Sequence, residues 1–297
     1  MFPTLLIAGL VWGMSPGSDS VSARDITVAV GEVVHVTSAG NGTPVVLVPG
    51  LFGSAFGFRK LIEPLQARGY RVIIVEPLGT GTSAYPKGVN YSLTAQADRI
   101  GVVLDTLGVR HALVVAHSVG VSMALRLTYR RPELVRGLLA IDGGPVEAAA
   151  TPGLQHAMKF AVFLKLFMGE GTLRKKVRHA MIENSGDTTW VTDSVVHGYT
   201  AGPGRDLHRT IDVLHGMAKS HEPELLGNHL VQIRVPVRLL VGTAPHGSAV
   251  TPDEVTELKG GIRNFGVDSV PGSGQFIHEE QPDAVVAAVG RLDEVSR

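Results

Sequence analysis

The chain has no cysteine among its 297 residues, which excludes a disulfide framework, a thiol nucleophile and any cysteine-ligated metal. It has no excess of either charge: Lys plus Arg and Asp plus Glu each total 27. No global field therefore recruits nucleic acid or an anionic surface. No apolar run reaches the length of about 20 residues that a helix needs to span a bilayer. The twelve histidines lack paired HxxxH or HxH spacings, so no metal site is expected. Internal repeats and low-complexity tracts are also missing. What is present is apolar bulk, 44% hydrophobic against 18% charged. That supports one large α/β domain with an inserted sub-domain.

Residues 4–14 (TLLIAGLVWGM) are nearly all apolar, and SPGSDSVSA follows, with Val21 and Ala23 at minus three and minus one of a cut before Arg24. The pattern resembles a secretory signal peptide, although Met-Phe-Pro supplies no basic side chain ahead of it. An N-terminal strand or anchor helix is the alternative. The expectation is an exported protein, periplasmic or secreted, with residues 1–23 outside the fold.

Asp25–Val30 and Glu32–Thr37 alternate and read as an antiparallel pair. Pro44–Pro49, Tyr70–Val75, Ala112–Ala116, Gly137–Ile141 and Val237–Val241 are continuous apolar runs, the mark of strands covered on both faces. Gly266–Val270 is a weaker last strand. Helical stretches lie between them at Ser54–Ala67, Leu93–Leu107, Val119–Arg131 (stopped by Pro132), Asp253–Lys259 and Pro282–Val295. This alternation predicts a mostly parallel sheet flanked by helices. The alternation breaks at about 145–230, helical and without a convincing strand, which divides the chain into a core (24–144 and 231–297) and an inserted helical lid.

Ala116-His117-Ser118-Val119-Gly120 lies where a buried strand meets a helix. A tight turn there, flanked by small residues, would push the Ser118 hydroxyl above the sheet edge and aim the Val119 N–H at an oxyanion beside it. The alternative is a plain serine cap. With these residues the chain resembles the α/β-hydrolase superfamily over 25–297. Val48-Pro49-Gly50-Leu51-Phe52-Gly53 is similar to that family's oxyanion loop, and the match implies Leu51 N–H as the second oxyanion donor. Glu76 to Ser83 resembles the family's D-x-x-G-x-G-x-S loop with Glu for Asp. Its glycines are not followed by the Gly-Lys-Ser/Thr of a phosphate loop, and no cofactor is expected.

The family's general base sits in a Gly-His-Phe segment after the last strand. Here the segment reads Gly274-Gln275-Phe276-Ile277-His278-Glu279-Glu280-Gln281-Pro282, so Gln275 occupies the histidine position. An amide cannot take a proton from serine. His278, three residues on, is a candidate base, against a reading as a supporting or surface histidine at the helix entry. His246, in the loop after the penultimate strand, is a second candidate base. That loop carries no carboxylate before Asp253, and Thr251-Pro252-Asp253-Glu254 reads as a capped helix start. Asp142 is the candidate acid, placed as in branches such as many haloalkane dehalogenases; the alternative is a loop aspartate bonded to its own backbone.

Serine at the elbow implies acyl transfer rather than the alkyl-ester chemistry of dehalogenases and epoxide hydrolases. The lid stretch Phe160–Met168 is apolar nearly all round and precedes the basic Arg174–Arg178. It suits core packing, a roof over an apolar pocket, or contact with lipid. Two functions are expected: a serine hydrolase of weak activity on carboxylic esters or related acyl compounds, or an impaired relative that binds an apolar small molecule without turnover.

Overall fold

The computed structural model describes residues 21–297 except 151 and 168; residues 1–20, and with them most of the expected signal peptide, lie outside the described residues. Its sheet is built from β1 (Ser22–Ala29), β2 (Glu32–Ala39), β3 (Thr43–Val48), β4 (Tyr70–Glu76), β5 (Ala112–His117), β6 (Val135–Ile141), β7 (Val237–Gly242) and β8 (Phe265–Val270). The order across the sheet is β1-β2-β4-β3-β5-β6-β7-β8. β2 pairs antiparallel with β1 and with β4, and the other pairs are parallel. β1 begins ahead of the cut considered at Arg24. β2 runs on to Ala39, and Ser22 and Ala23 find partners in Ser38 and Thr37.

The apolar runs are buried on both faces because successive side chains point to opposite sides. Val46 and Val48 of β3 enter one core cluster, while Val45 and Leu47 enter the other. The first face is covered by α2 (Leu93–Thr106) and α3 (Val119–Arg130), the second by α1 (Arg59–Ala67) and α11 (Pro282–Val295). α3 stops before Arg131, the residue ahead of Pro132, where φ moves to −135° as the proline ring disfavours helix. Between β6 and β7 lie α4 (Pro152–Met158), α5 (Ala161–Phe167), α6 (Glu170–Glu183), α7 (Asp193–Gly204) and α8 (Leu207–Lys219), with no strand among the described residues. α9 (Pro252–Gly261) precedes β8, and the short α10 (Ile277–Glu280) precedes α11. No described helix is long and apolar enough to cross a membrane.

The strand order places the site. β3 and β5 are neighbours, but the chain leaves them toward opposite edges of the sheet. A crevice opens at such a reversal, outside the carboxyl ends of the strands. The loops after β3 and β5 therefore meet there, and those after β6, β7 and β8 follow along the same edge.

Candidate active site

Ser118 stands between β5 and α3 with φ +53° and ψ −129°, a conformation that costs a non-glycine residue about 1–3 kcal/mol. Close packing holds it there. A Cβ on Gly143 would lie 2.2 Å from the Ser118 carbonyl oxygen, one on Gly120 2.8 Å from that of Pro49, and one on Gly50 3.0 Å from Ser118 Cβ. The Ser118 N–H donates to the Ile141 carbonyl at 3.0 Å. The loop after β3 is thus pressed onto the serine, with Gly53 N–H closing a turn on the Gly50 carbonyl. Ser118, Val119 and Leu51 are all half-buried. The Leu51 and Val119 amides have no backbone partner among the described residues.

Gln275 reaches this serine. Its Nε2 donates to Ser118 Oγ at 3.2 Å, its N–H donates to the Asn184 carbonyl at 2.8 Å, and its carbonyl accepts from His117 Nε2 at 3.2 Å. The loop after β8 gets there by folding over the end of β7, where a Cβ on Gly242 would lie 2.3 Å from the Gly274 carbonyl oxygen. The amide is a donor to Oγ where catalysis needs an acceptor of its proton. Turned over, it would offer an oxygen that is no more basic.

Asp142 follows β6 with φ +41° and is fully buried. Its Oδ2 meets His246 Nε2 at 2.7 Å, and its Oδ1 has no partner among the described residues. Burial pushes the carboxyl up to about 6, opposed by the hydrogen bond and charge of His246, with Glu280 and Glu254 raising it further. His246 Nδ1 lies 2.7 Å from the Ala244 carbonyl. A carbonyl only accepts, so Nδ1 carries a proton. The pair then shares the proton between Nε2 and Oδ2, as imidazolium and carboxylate or as imidazole and acid. Both ring nitrogens of His246 are engaged, and neither bonds to Ser118.

His278 does not bond to Ser118 either, and it is not at the surface. It is buried behind His117, with ring centroids 4.4 Å apart, and against Phe58 at 5.2 Å. Its Nε2 lies 3.4 Å from the Tyr199 hydroxyl and its Nδ1 has no partner among the described residues. Burial first, then the neighbouring His117, Arg59 and Lys60, drive its pKa well below the usual imidazole value. His278 lies on the short helix at 277–280. Asp253 is exposed in the first turn of α9, and Thr251 with Glu254 forms the expected capping box. Glu76 accepts from Ala55 N–H at 2.7 Å and from the Thr82 hydroxyl at 2.8 Å, so the Glu76–Ser83 loop braces the chain leaving β3.

Sequence reasoning missed His117, Asn184, Tyr199 and Glu280. His117 had a signal in its place in the elbow motif, and Glu280 in the acidic stretch before Pro282. The His117 pKa is lowered to about 4 by burial, against the Gln275 carbonyl, so it serves as a neutral donor. No cluster of three or more His, Asp or Glu able to hold a metal occurs among the described residues. Two cavities of about 410 and 310 Å³ border α8, and neither is lined by Ser118.

Residues 43–186 match the family model for the α/β-hydrolase fold. A 2-hydroxy-6-oxononadienedioate/2-hydroxy-6-oxononatrienedioate hydrolase of Pseudomonas sp is 32% identical over 146 residues, which are 46% of this chain and 51% of that protein, about half its length. The sn-1-specific diacylglycerol lipase ABHD11 of Mus musculus is 25% identical over 259 residues, 82% of this chain and 79% of that one. Among solved structures, epoxide hydrolase CorEH without ligand superposes with a TM-score of 0.77 at 18% identity, covering 94% of this chain and all of that one. The chain has the α/β-hydrolase fold, and over residues 43–186 its sequence matches the model of that family.

Proposed function

We propose that this chain is a serine hydrolase of low turnover acting on carboxylic esters or related acyl substrates. The observation that carries this reading is Ser118 on its strained elbow against the Gly50 turn, with the Leu51 and Val119 amides lacking a backbone partner among the described residues. Ser118 Oγ attacks the acyl carbon, the two amides take the developing oxyanion, and the serine proton leaves to water because no basic group bonds to Oγ. Collapse of the adduct then breaks the ester C–O bond and expels the alcohol, which takes its proton from water. Water then hydrolyses the acyl-enzyme. General-base assistance is worth about a hundred- to ten-thousand-fold, and an oxyanion hole with substrate binding retains about a thousand- to ten-thousand-fold over water without it.

In this reading Asp142 is the acid whose histidine partner has moved from position 275 to His246, leaving a buried pair in place of a working triad. The segment 145–230 is the lid over an apolar acyl ligand. Export is the localisation that fits the apolar stretch before Arg24.

A second reading, binding of an apolar acyl ligand without turnover, is favoured by the Gln275 amide that donates to Ser118 Oγ. A fluorophosphonate probe separates the two. A hydrolase is labelled slowly at Ser118, read as one mass adduct absent from Ser118→Ala. No adduct after long exposure, with acyl ligand still bound, would establish the binder and refute the hydrolase.

A further inference from the structure

The turn after α6 touches the loops after β7 and β8. The Asn184 carbonyl accepts the Gln275 N–H at 2.8 Å. Its side-chain Oδ1 accepts from the Ser248 hydroxyl at 2.8 Å and the Ser248 N–H at 3.2 Å, on the loop that carries His246. Just beyond, the Gly186 and Asp187 amides both donate to Glu280 Oε2 at 2.8 Å. The same carboxylate accepts the Gly274 N–H at 3.1 Å. Glycine makes the joint close: a Cβ on Gly186 would lie 1.9 Å from the Gly272 carbonyl oxygen, and one on Gly274 2.3 Å from that of Asn184. The Trp190 ring packs tilted against Phe276, centroids 5.2 Å apart, and its N–H donates to Ser185 Oγ at 3.2 Å.

We propose that Asn184 and Glu280 are positioning residues, which clamp the 184–187 turn onto the loops after β7 and β8 and thereby fix the side chain at position 275 against Ser118. Gln275 hangs on this turn through its own N–H, and the residue before it hangs on Glu280. A carboxylate holding amide donors makes charge-assisted bonds, stronger than neutral ones. Losing them frees the 274–276 backbone by the small displacements to which reacting groups are most sensitive. The inserted helical segment is in this account part of the site's frame as well as its roof.

The proposal rests on the reading that position 275 governs Ser118, so its test has two arms. In the full chain, amide hydrogen exchange should speed up together at Gly186, Asp187, Gly274 and Gln275 in Glu280→Ala, by about tenfold or more. Glu280→Gln keeps an acceptor oxygen and should restore most of the protection. In the Gln275→His protein, Glu280→Ala and Asn184→Ala should each lower kcat by at least about tenfold, part of the roughly hundredfold that a 1 Å misplacement costs. KM should hold, and Asn184→Asp, which keeps an acceptor, should recover kcat. Unchanged exchange at Gln275 in Glu280→Ala overturns the clamp, as does a kcat indifferent to both alanine variants. If Glu280→Ala does not fold, Asn184→Ala decides, by faster or unchanged exchange at Ser248. If Gln275→His itself brings no activity, the hydrolase reading falls while the exchange arm still judges the clamp.

Discussion

Asp142 and His246 define the residue-scale problem. A buried carboxylate with one oxygen on an imidazole and the other without a partner is tolerable only while the imidazole stays. Removing one member of a buried pair costs about 3–5 kcal/mol because the other is left uncompensated. His246→Ala should therefore lower unfolding free energy by about that much in urea titration, and Asp142→Asn, which keeps a polar partner, by clearly less. Equal and small losses would mean that the pair is solvated and that its burial does not matter. The elbow and Gln275 were legible because their residues are contiguous in a motif. The acid's partner was not, since His246 and Asp142 are 104 positions apart and nothing local joins them.

At the scale of elements, strands were legible wherever both faces are covered, because a β-branched apolar run has no other economical place. β8 is the weak case, with most of its residues half-exposed or exposed at the sheet edge. One helix expected from Ser54 to Ala67 divides: a 3-10 turn at Ala55–Phe58 comes first, and α1 starts at Arg59. The cause is tertiary, since Glu76 draws the Ala55 N–H and Glu279 holds Arg59. The start of α9 was legible for the opposite reason, as its capping box is entirely local. Thr251→Ala removes the hydroxyl that accepts the Glu254 N–H and should cost about 1 kcal/mol of stability. A calorimetric Tm indistinguishable from wild type would show that the helix start is held by other contacts.

Over the whole molecule, buried histidines should set the acid limit of stability. His117 is lowered from 6.5 to about 4, and burial also drives His278 well below 6.5. Between those values the unfolded chain binds protons that the folded chain refuses, so stability present above pH 6.5 is lost as pH falls. His117 alone accounts for up to about 3 kcal/mol of that loss. Asp142, raised from 3.8 to about 6, works the other way: its contribution is full below 3.8 and fades as pH rises through 6. Two histidines outweigh one carboxyl. Urea midpoints should fall from pH 6.5 toward 4.5, and His278→Phe should flatten the slope; an unchanged slope would show that His278 titrates normally. The site itself is a whole-molecule property, drawn from the loops after β3, β5, β6, β7 and β8 and from the turn after α6. That last contribution had no sequence signal, because Asn184 follows a helix whose periodicity says nothing of where its end will dock.

The central claim is that Gln275 is where proton transfer was lost, and it is tested most directly by Gln275→His with p-nitrophenyl ester hydrolysis as the readout. The account predicts a gain of at least about tenfold, a modest part of what general-base help supplies. That gain should rise with pH through the histidine pKa and vanish when Ser118→Ala is added. A wild type already fast, with activity abolished by His246→Ala or His278→Ala, would contradict it, because a base would then be working where the structure leaves none on Ser118.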